Sequence, residues 1–340
     1  MRTRASFSAP NSSRWDHRTH TKQALIAASL ALAAFTSPLT AIAQDYPGRP
    51  VKIVVPYPPG SSPDALARIL SEQLAKRINQ SVVVENRAGA GGMIGAKAVS
   101  ESAPDGNTLL MYTPAWPAAK VFMKKPPIAV PEGLEPVTIV GEGRFAFTAA
   151  GALPAKTFDE MVAHARANPG RLNFATTGLG DSLLYFHAMT NERGIKIETV
   201  QYRGSAEYVA ALIANDVQLA FTPEYSMLPH VKEGRLKVLA VTGETRSRAY
   251  PDVKTFNELG LPMVRNNWMA IFAPQGTPTP LVQRINADLT AIIRSPEVSK
   301  RIQDIYFEPV GSSAEQLRRR IDTEITEWTA LARKVGIEPQ

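Results

Sequence analysis

The chain has 340 residues, 44% of them hydrophobic, with 38 basic and 31 acidic side chains and no cysteine. The absence of cysteine excludes a disulfide, a thiol nucleophile and a thiolate metal site. The length supports a large core and suits two lobes better than one.

Arg2, Arg4, Arg14, Arg18 and Lys22 open the chain. An uncharged, mostly apolar stretch follows from Ala24 to Phe35, and Ala41-Ile42-Ala43 precedes Gln44. That order predicts a cleaved secretory signal over residues 1–43, with an apolar stretch too short for a membrane span of about 20 residues. Without the leader, 33 basic and 30 acidic residues remain, a net charge of +3. No lysine or arginine run is left to suggest nucleic acid, and Arg318-Arg319-Arg320 reads as a solvated helix face.

The run from Lys52 to Val55 reads as a strand that feeds Pro56-Tyr57-Pro58-Pro59-Gly60-Ser61-Ser62. A helix is predicted from Pro63, with Ser62 as its N-cap and Leu66, Ile69, Leu70, Leu74 and Ile78 on its apolar stripe. The start of a helix carries free N–H groups and a partial positive charge, so a serine-bearing loop there can seat a carboxylate or phosphate. An ordinary βα loop has the same sequence pattern. Gly89-Ala90-Gly91-Gly92-Met93-Ile94-Gly95 resembles a dinucleotide loop. However, three residues separate it from the strand, and no acidic residue closes a second strand about 20 positions on, so close packing is the stronger reading and no cofactor is expected.

Further strands are predicted at 51–55, 82–84, 108–112, 145–148, 172–175, 197–200, 217–221, 237–241 and 269–272. Pro126-Pro127 and Pro131 read as a surface excursion. Thr157-x-x-Glu160 and Ser312-x-x-Glu315 read as capping boxes and Pro169-Gly170 as a helix stop. Leu317, Ile321, Ile325, Trp328, Leu331 and Val335 form one stripe of a last helix. The alternation of strands and helices argues for an α/β protein with parallel sheets.

Gly180-Asp181-Ser182-Leu183 spells an esterase signature, with Ser182 as its candidate nucleophile. A serine nucleophile needs a histidine base and an orienting acid. His164, His187 and His230 are scattered, and none carries the expected aspartate three residues before it near the C-terminus. They do not cluster with carboxylates at metal-ligand spacing either. No catalytic or metal residue is therefore assigned.

Several segments agree on one family. They are Tyr46-Pro47-x-Arg49-Pro50-Val51, Val55 to Gly60, Val84 to Gly95, Ala103 to Leu109, Ala167 to Asn173, Tyr202-Arg203-Gly204, Leu228 to Leu236 and Phe272-Ala273-Pro274-x-Gly276-Thr277-Pro278. Together they resemble the Bug-type solute receptors of tripartite tricarboxylate transporters, over essentially the whole mature chain. The resemblance implies a monomeric periplasmic binding protein with two α/β lobes joined by crossing strands. Lobe one would comprise residues 44–145 and 266–340, and lobe two residues 146–265. It implies an organic carboxylate or zwitterion held in the cleft by loop backbone, hydroxyls and water, and transporter membrane subunits as partners. The implied ligand residues are Tyr57, Pro59, Gly60, Ser61, Ser62, Thr113, Trp116, Thr177, Gly178, Leu179, Gly180, Asp181, Ser182, Tyr202, Arg203 and Gly204. Tyr57, Trp116, Tyr185 and Trp268 could give the cleft an aromatic lining, although Tyr185 and Trp268 also suit a core. Asp181 is unusual beside an anion-binding loop. It either caps its helix, meets a cationic part of the ligand or is protonated. The competing classes are a secreted esterase using Ser182, a lyase acting on carboxylates, and a sensor or scavenger that transports nothing.

Overall fold

Two apolar strand sets, each too hydrophobic to leave a face in water, define the architecture. The computed structural model describes residues 46–177, 180–202, 204–261 and 265–339; the leader, Gly178, Leu179 and Arg203 lie outside the described residues. The first sheet contains β1 (Val51–Val55), β2 (Val82–Asn86), β3 (Thr108–Tyr112), β4 (Leu134–Gly143), β10 (Asn267–Pro274) and β11 (Phe307–Pro309), in the order β11-β4-β10-β3-β1-β2. The second contains β5 (Phe145–Ala150), β6 (Asn173–Thr176), β7 (Glu198–Gln201), β8 (Leu219–Pro223) and β9 (Leu236–Val241), in the order β7-β6-β8-β5-β9.

The sheets are mixed, which corrects the parallel expectation. β1 pairs in parallel with β2 and β3, and β6 with β7 and β8. β10 runs antiparallel to β3 and β4, and β5 antiparallel to β8 and β9. β5 and β10 are the first strands that the chain forms on entering a sheet from the other one. Their direction is set by the partner they meet, which local alternation cannot encode.

β4 and β11 are strands that the sequence pattern does not predict. β4 contains Pro136, a residue that usually argues against a strand. It is tolerated because β11 covers only Gly141–Gly143 of β4, so no ladder donor is lost at Pro136 on that side.

Helices cover both faces of each sheet. On the first sheet, α1 (Ser62–Ile78), α8 (Thr279–Ile293) and α9 (Pro296–Asp304) bury Leu66, Leu70, Ile285 and Leu289 against Val51, Ile53 and Ile271. α2 (Met93–Ser100), α3 (Ala115–Phe122) and α10 (Ala314–Lys334) cover its other face, where Trp116, Trp268, Phe272, Leu317 and Ile321 pack. On the second sheet, α4 (Phe158–Ala167) and α5 (Asp181–Arg193) close over a phenylalanine cluster in which Phe174 stacks on Phe186 at 3.9 Å. α6 (Ser205–Ala214) and α7 (Glu224–Lys232) lie on the opposite face, around Leu212, Val217 and Met227. α10 belongs to both halves: its Leu317 and Ile321 sit in the first core, its Trp328 and Ala332 in the second.

The chain passes from the first sheet to the second through one residue, Arg144, and returns through residues 242–266. Arg144 ties the two passages together. Its guanidinium donates to the carbonyls of Thr242 at 2.8 Å and Thr245 at 2.5 Å. Gly243, at φ +109°, makes room for it, since a Cβ there would meet Arg144 Nη1.

Candidate functional site

The helices α1, α3, α5 and α6 follow β1, β3, β6 and β7, so their first turns gather at the carboxyl ends of parallel strands. This is where open α/β sheets present their loops to ligands. None of the four is capped by the side chain of the residue before it: Ser61, Pro114, Gly180 and Gly204 make no side-chain cap bond. By contrast, Thr157, Ser295 and Ser313 cap α4, α9 and α10. Thr157 accepts the Glu160 N–H as expected, but the Glu160 carboxylate takes the Lys156 N–H, so that box is half formed; the box at α10 is Ser313 with Gln316, one residue beyond the predicted pair. At α1 the N-cap position likewise belongs to Ser61 rather than Ser62. Proline is acceptable anywhere in a first turn, so Pro63 leaves that choice open.

The loop before α1 is held by two residues that the sequence reading did not single out. Asp64, 3% exposed, accepts from Gly60 N at 2.9 Å, Asn86 Nδ2 at 2.9 Å and Arg68 Nε at 3.0 Å. Burial opposes ionisation of Asp64, yet these donors, Arg68 first, hold its carboxyl below the usual range. Asn86 also donates to the Tyr57 carbonyl at 3.1 Å. Gly60, at φ +80°, makes the turn between them. The loop is thereby fixed before any ligand arrives. Asp64 and Asn86 are 22 positions apart, so only a pairing of β1 with β2 brings them together.

Tyr57 and Thr113 come from two different loops, and their hydroxyls meet at 2.6 Å. Burial raises the Tyr57 phenol well above its ordinary value. The Asp181 carboxylate at the start of α5 adds to the rise. Asp181 Oδ1 accepts the Ser182 N–H at 2.9 Å. Burial pushes the Asp181 carboxyl up to about 7, assisted by the negative charge of Glu324.

Of the other expected residues, Pro59, Gly60 and Thr177 are exposed, and Ser61, Gly180, Ser182, Tyr202 and Gly204 are partly buried. Gly178, Leu179 and Arg203 are outside the described residues. Trp116, Trp268 and Tyr185 are buried and belong to the core rather than to an open aromatic lining. Trp116 packs edge-on against Phe272 at 5.2 Å. The Gly89–Gly95 loop wraps Tyr112: a Cβ on Gly92 would sit 2.7 Å from that ring, and one on Gly95 would strike Arg87 and Pro56. Gly92 and Gly95 therefore serve close packing, whereas Gly91 has open space and a positive φ of 63°. Ser182 has no hydrogen bond to a histidine among the described residues. A cavity of about 20 Å³ lies where the sheets meet, lined among others by Ser62, Arg144, Phe145, Pro223 and Asn267. It has room for about one water. The buried Oδ1 of Asn267 has no partner among the described residues.

The sequence pattern described as "Tripartite tricarboxylate transporter family receptor" matches residues 66–337. Protein BugT of Bordetella pertussis is 34% identical over 320 residues, 92% of this chain and 97% of that protein. Among solved structures, R. palustris Rpa4515 with adipate superimposes with a TM-score of 0.80 at 28% identity, covering 87% of this chain and all of that one. MatC from Rhodopseudomonas palustris with bound malate gives 0.73 at 27% identity, covering 84% and 99%. The esterase alternative finds no support in this company. The chain belongs to the tripartite tricarboxylate transporter receptor family, as a Bug-type periplasmic solute-binding protein.

Proposed function

We propose that the protein captures a small organic carboxylate between the Gly60–Ser62 and Gly178–Ser182 loops and presents it, unchanged, to the membrane subunits of a tripartite transporter. The observation that carries this reading is the convergence, at the carboxyl ends of the strands, of four helix starts whose N-cap residues make no side-chain cap bond. Helix starts of this kind can receive an anion without an arginine clamp. The adipate and malate in the two structural neighbours are ligands of that chemistry. The lobes proposed for closure are residues 44–145 with 266–340, and 146–265, hinged at Arg144 and the return passage. Hinge closure of this kind is common where a ligand sits between two lobes.

Residues 1–43 are proposed to be removed on export, so periplasmic protein should begin at Gln44. Calorimetric titration of that protein with dicarboxylates tests the cleft. The Ser61 hydroxyl caps nothing, so Ser61→Ala should spare folding. Combined with Thr177→Ala and Ser182→Ala, it should weaken binding about tenfold or more, each lost hydrogen bond contributing about 1 kcal/mol. Wild-type affinity in the triple variant would move the ligand elsewhere. Chemical conversion of the bound acid would refute the receptor reading.

A further inference from the structure

Asp181 puts a negative charge in a cleft proposed to capture anions, and the surroundings of that charge are informative. Its Oδ1 accepts from Ser182 N, and no basic side chain lies within ion-pair distance of it among the described residues. From the loop after β1 comes Tyr57, already bonded to Thr113. From its own helix comes Tyr185, fully buried, whose hydroxyl receives the Trp328 indole N–H. From α10 comes Glu324, 1% exposed, which accepts from Trp268 Nε1 at 3.0 Å and is ion-paired with Arg320. Arg320 also faces Glu142 at 3.6 Å. Among the described residues, Arg320 is therefore committed to Glu324 and Glu142, Arg265, which also acts on Glu324, is paired with Glu327, and neither is ion-paired with Asp181.

At the loop after β1 the balance is reversed. Ser61 Oγ is a buried atom with no partner among the described residues. A hydroxyl can donate. Placed just before the start of α1, it suits a carboxylate. The Asp181 side suits a donor.

We propose that Asp181 is the specificity-determining residue of the cleft, selecting ligands that carry an ammonium or amide N–H group as well as a carboxylate over plain dicarboxylates. The inference rests on the carboxylate cleft proposed above. Burial already drives Asp181 toward its protonated form, and a ligand cation would restore the ionised form and gain a charge-assisted bond. A second ligand carboxylate would instead add a like charge.

Two isostere pairs test this by calorimetry at neutral pH: adipate against 6-aminohexanoate, and malate against aspartate. Wild type should favour the amine-bearing member of at least one pair by about tenfold or more, which is about 1.4 kcal/mol. Asp181→Asn keeps an acceptor for Ser182 N–H and should bring that ratio close to one or invert it, whereas Asp181→Glu, with melting checked in both, should keep the preference. A preference for the dicarboxylates that is identical in wild type and Asp181→Asn would overturn the role of Asp181 and leave carboxylate capture standing. Failure of all four ligands to bind either protein would overturn both readings.

Discussion

A carboxyl held up to about 7 makes stability depend on pH, and Asp181 sets the sign. The folded state holds this proton more tightly than the unfolded chain, whose aspartates titrate near 4. Its contribution is therefore fully present below about pH 4 and is lost as pH rises through about 7. Asp181→Asn removes the penalty of the partly buried charge. In urea melts it should be more stable than wild type at pH 8 by about 1–3 kcal/mol, and the gain should shrink toward zero at pH 4. A gain that does not vary with pH would mean that the carboxylate is fully solvated. Asp64 shows the opposite case. Its carboxyl is held below the usual range by donors from Arg68, Gly60 and Asn86, so its contribution is present above about pH 4 and lost in acid. Two aspartates at the starts of two helices thus act in opposite directions, because at Asp64 the donors outweigh burial, whereas at Asp181 burial, with the charge of Glu324, outweighs the backbone N–H donors.

Among the elements, the passage between sheets is the most constrained. Arg144 reaches the Thr242 and Thr245 carbonyls only because Gly243 lacks a side chain and adopts a left-handed φ. Gly243→Ala should destabilise by more than about 1 kcal/mol, from both the strained backbone and the displaced guanidinium. A chemical denaturation curve matching wild type would show that the Arg144 clamp contributes nothing. This contact was not legible in the sequence, since Arg144 and Gly243 are 99 positions apart.

Much else was legible. Runs such as Val51–Val55 and Thr108–Tyr112 are apolar, β-branched or aromatic and bounded by turn residues, and they are strands of the same extent in the structure. The stripe from Leu317 to Trp328 is helical and faces the core. β4 was hidden by Pro131 and Pro136, because the acceptability of a proline depends on which neighbour needs its N–H. The loop glycines and serines of the site were visible as residue types. What positions them, the Asp64–Asn86 pairing and the Tyr57–Thr113 contact, arises from strand neighbours that no local pattern names. The choice between Ser61 and Ser62, or between Ser312 and Ser313, turns on a single residue of register, which adjacent serines leave undetermined.

At the scale of the whole molecule, α10 is the feature with the widest reach. Its first turns complete the core of one sheet and its later turns, through Trp328 and Ala332, complete that of the other. Each half therefore ends in the other's territory, and a fragment carrying residues 146–265 alone would leave an apolar socket open where Trp328 belongs. Expressed separately, residues 44–313 and 314–340 should behave as a split protein: the long piece poorly folded, the short piece helical only in its company, and the cooperative melting transition recovered on mixing. A long piece that folds and melts cooperatively by itself would show that the helix is an ornament. Otherwise α10 is a shared latch: neither core is complete until this one helix has docked, so the two halves become native together or not at all.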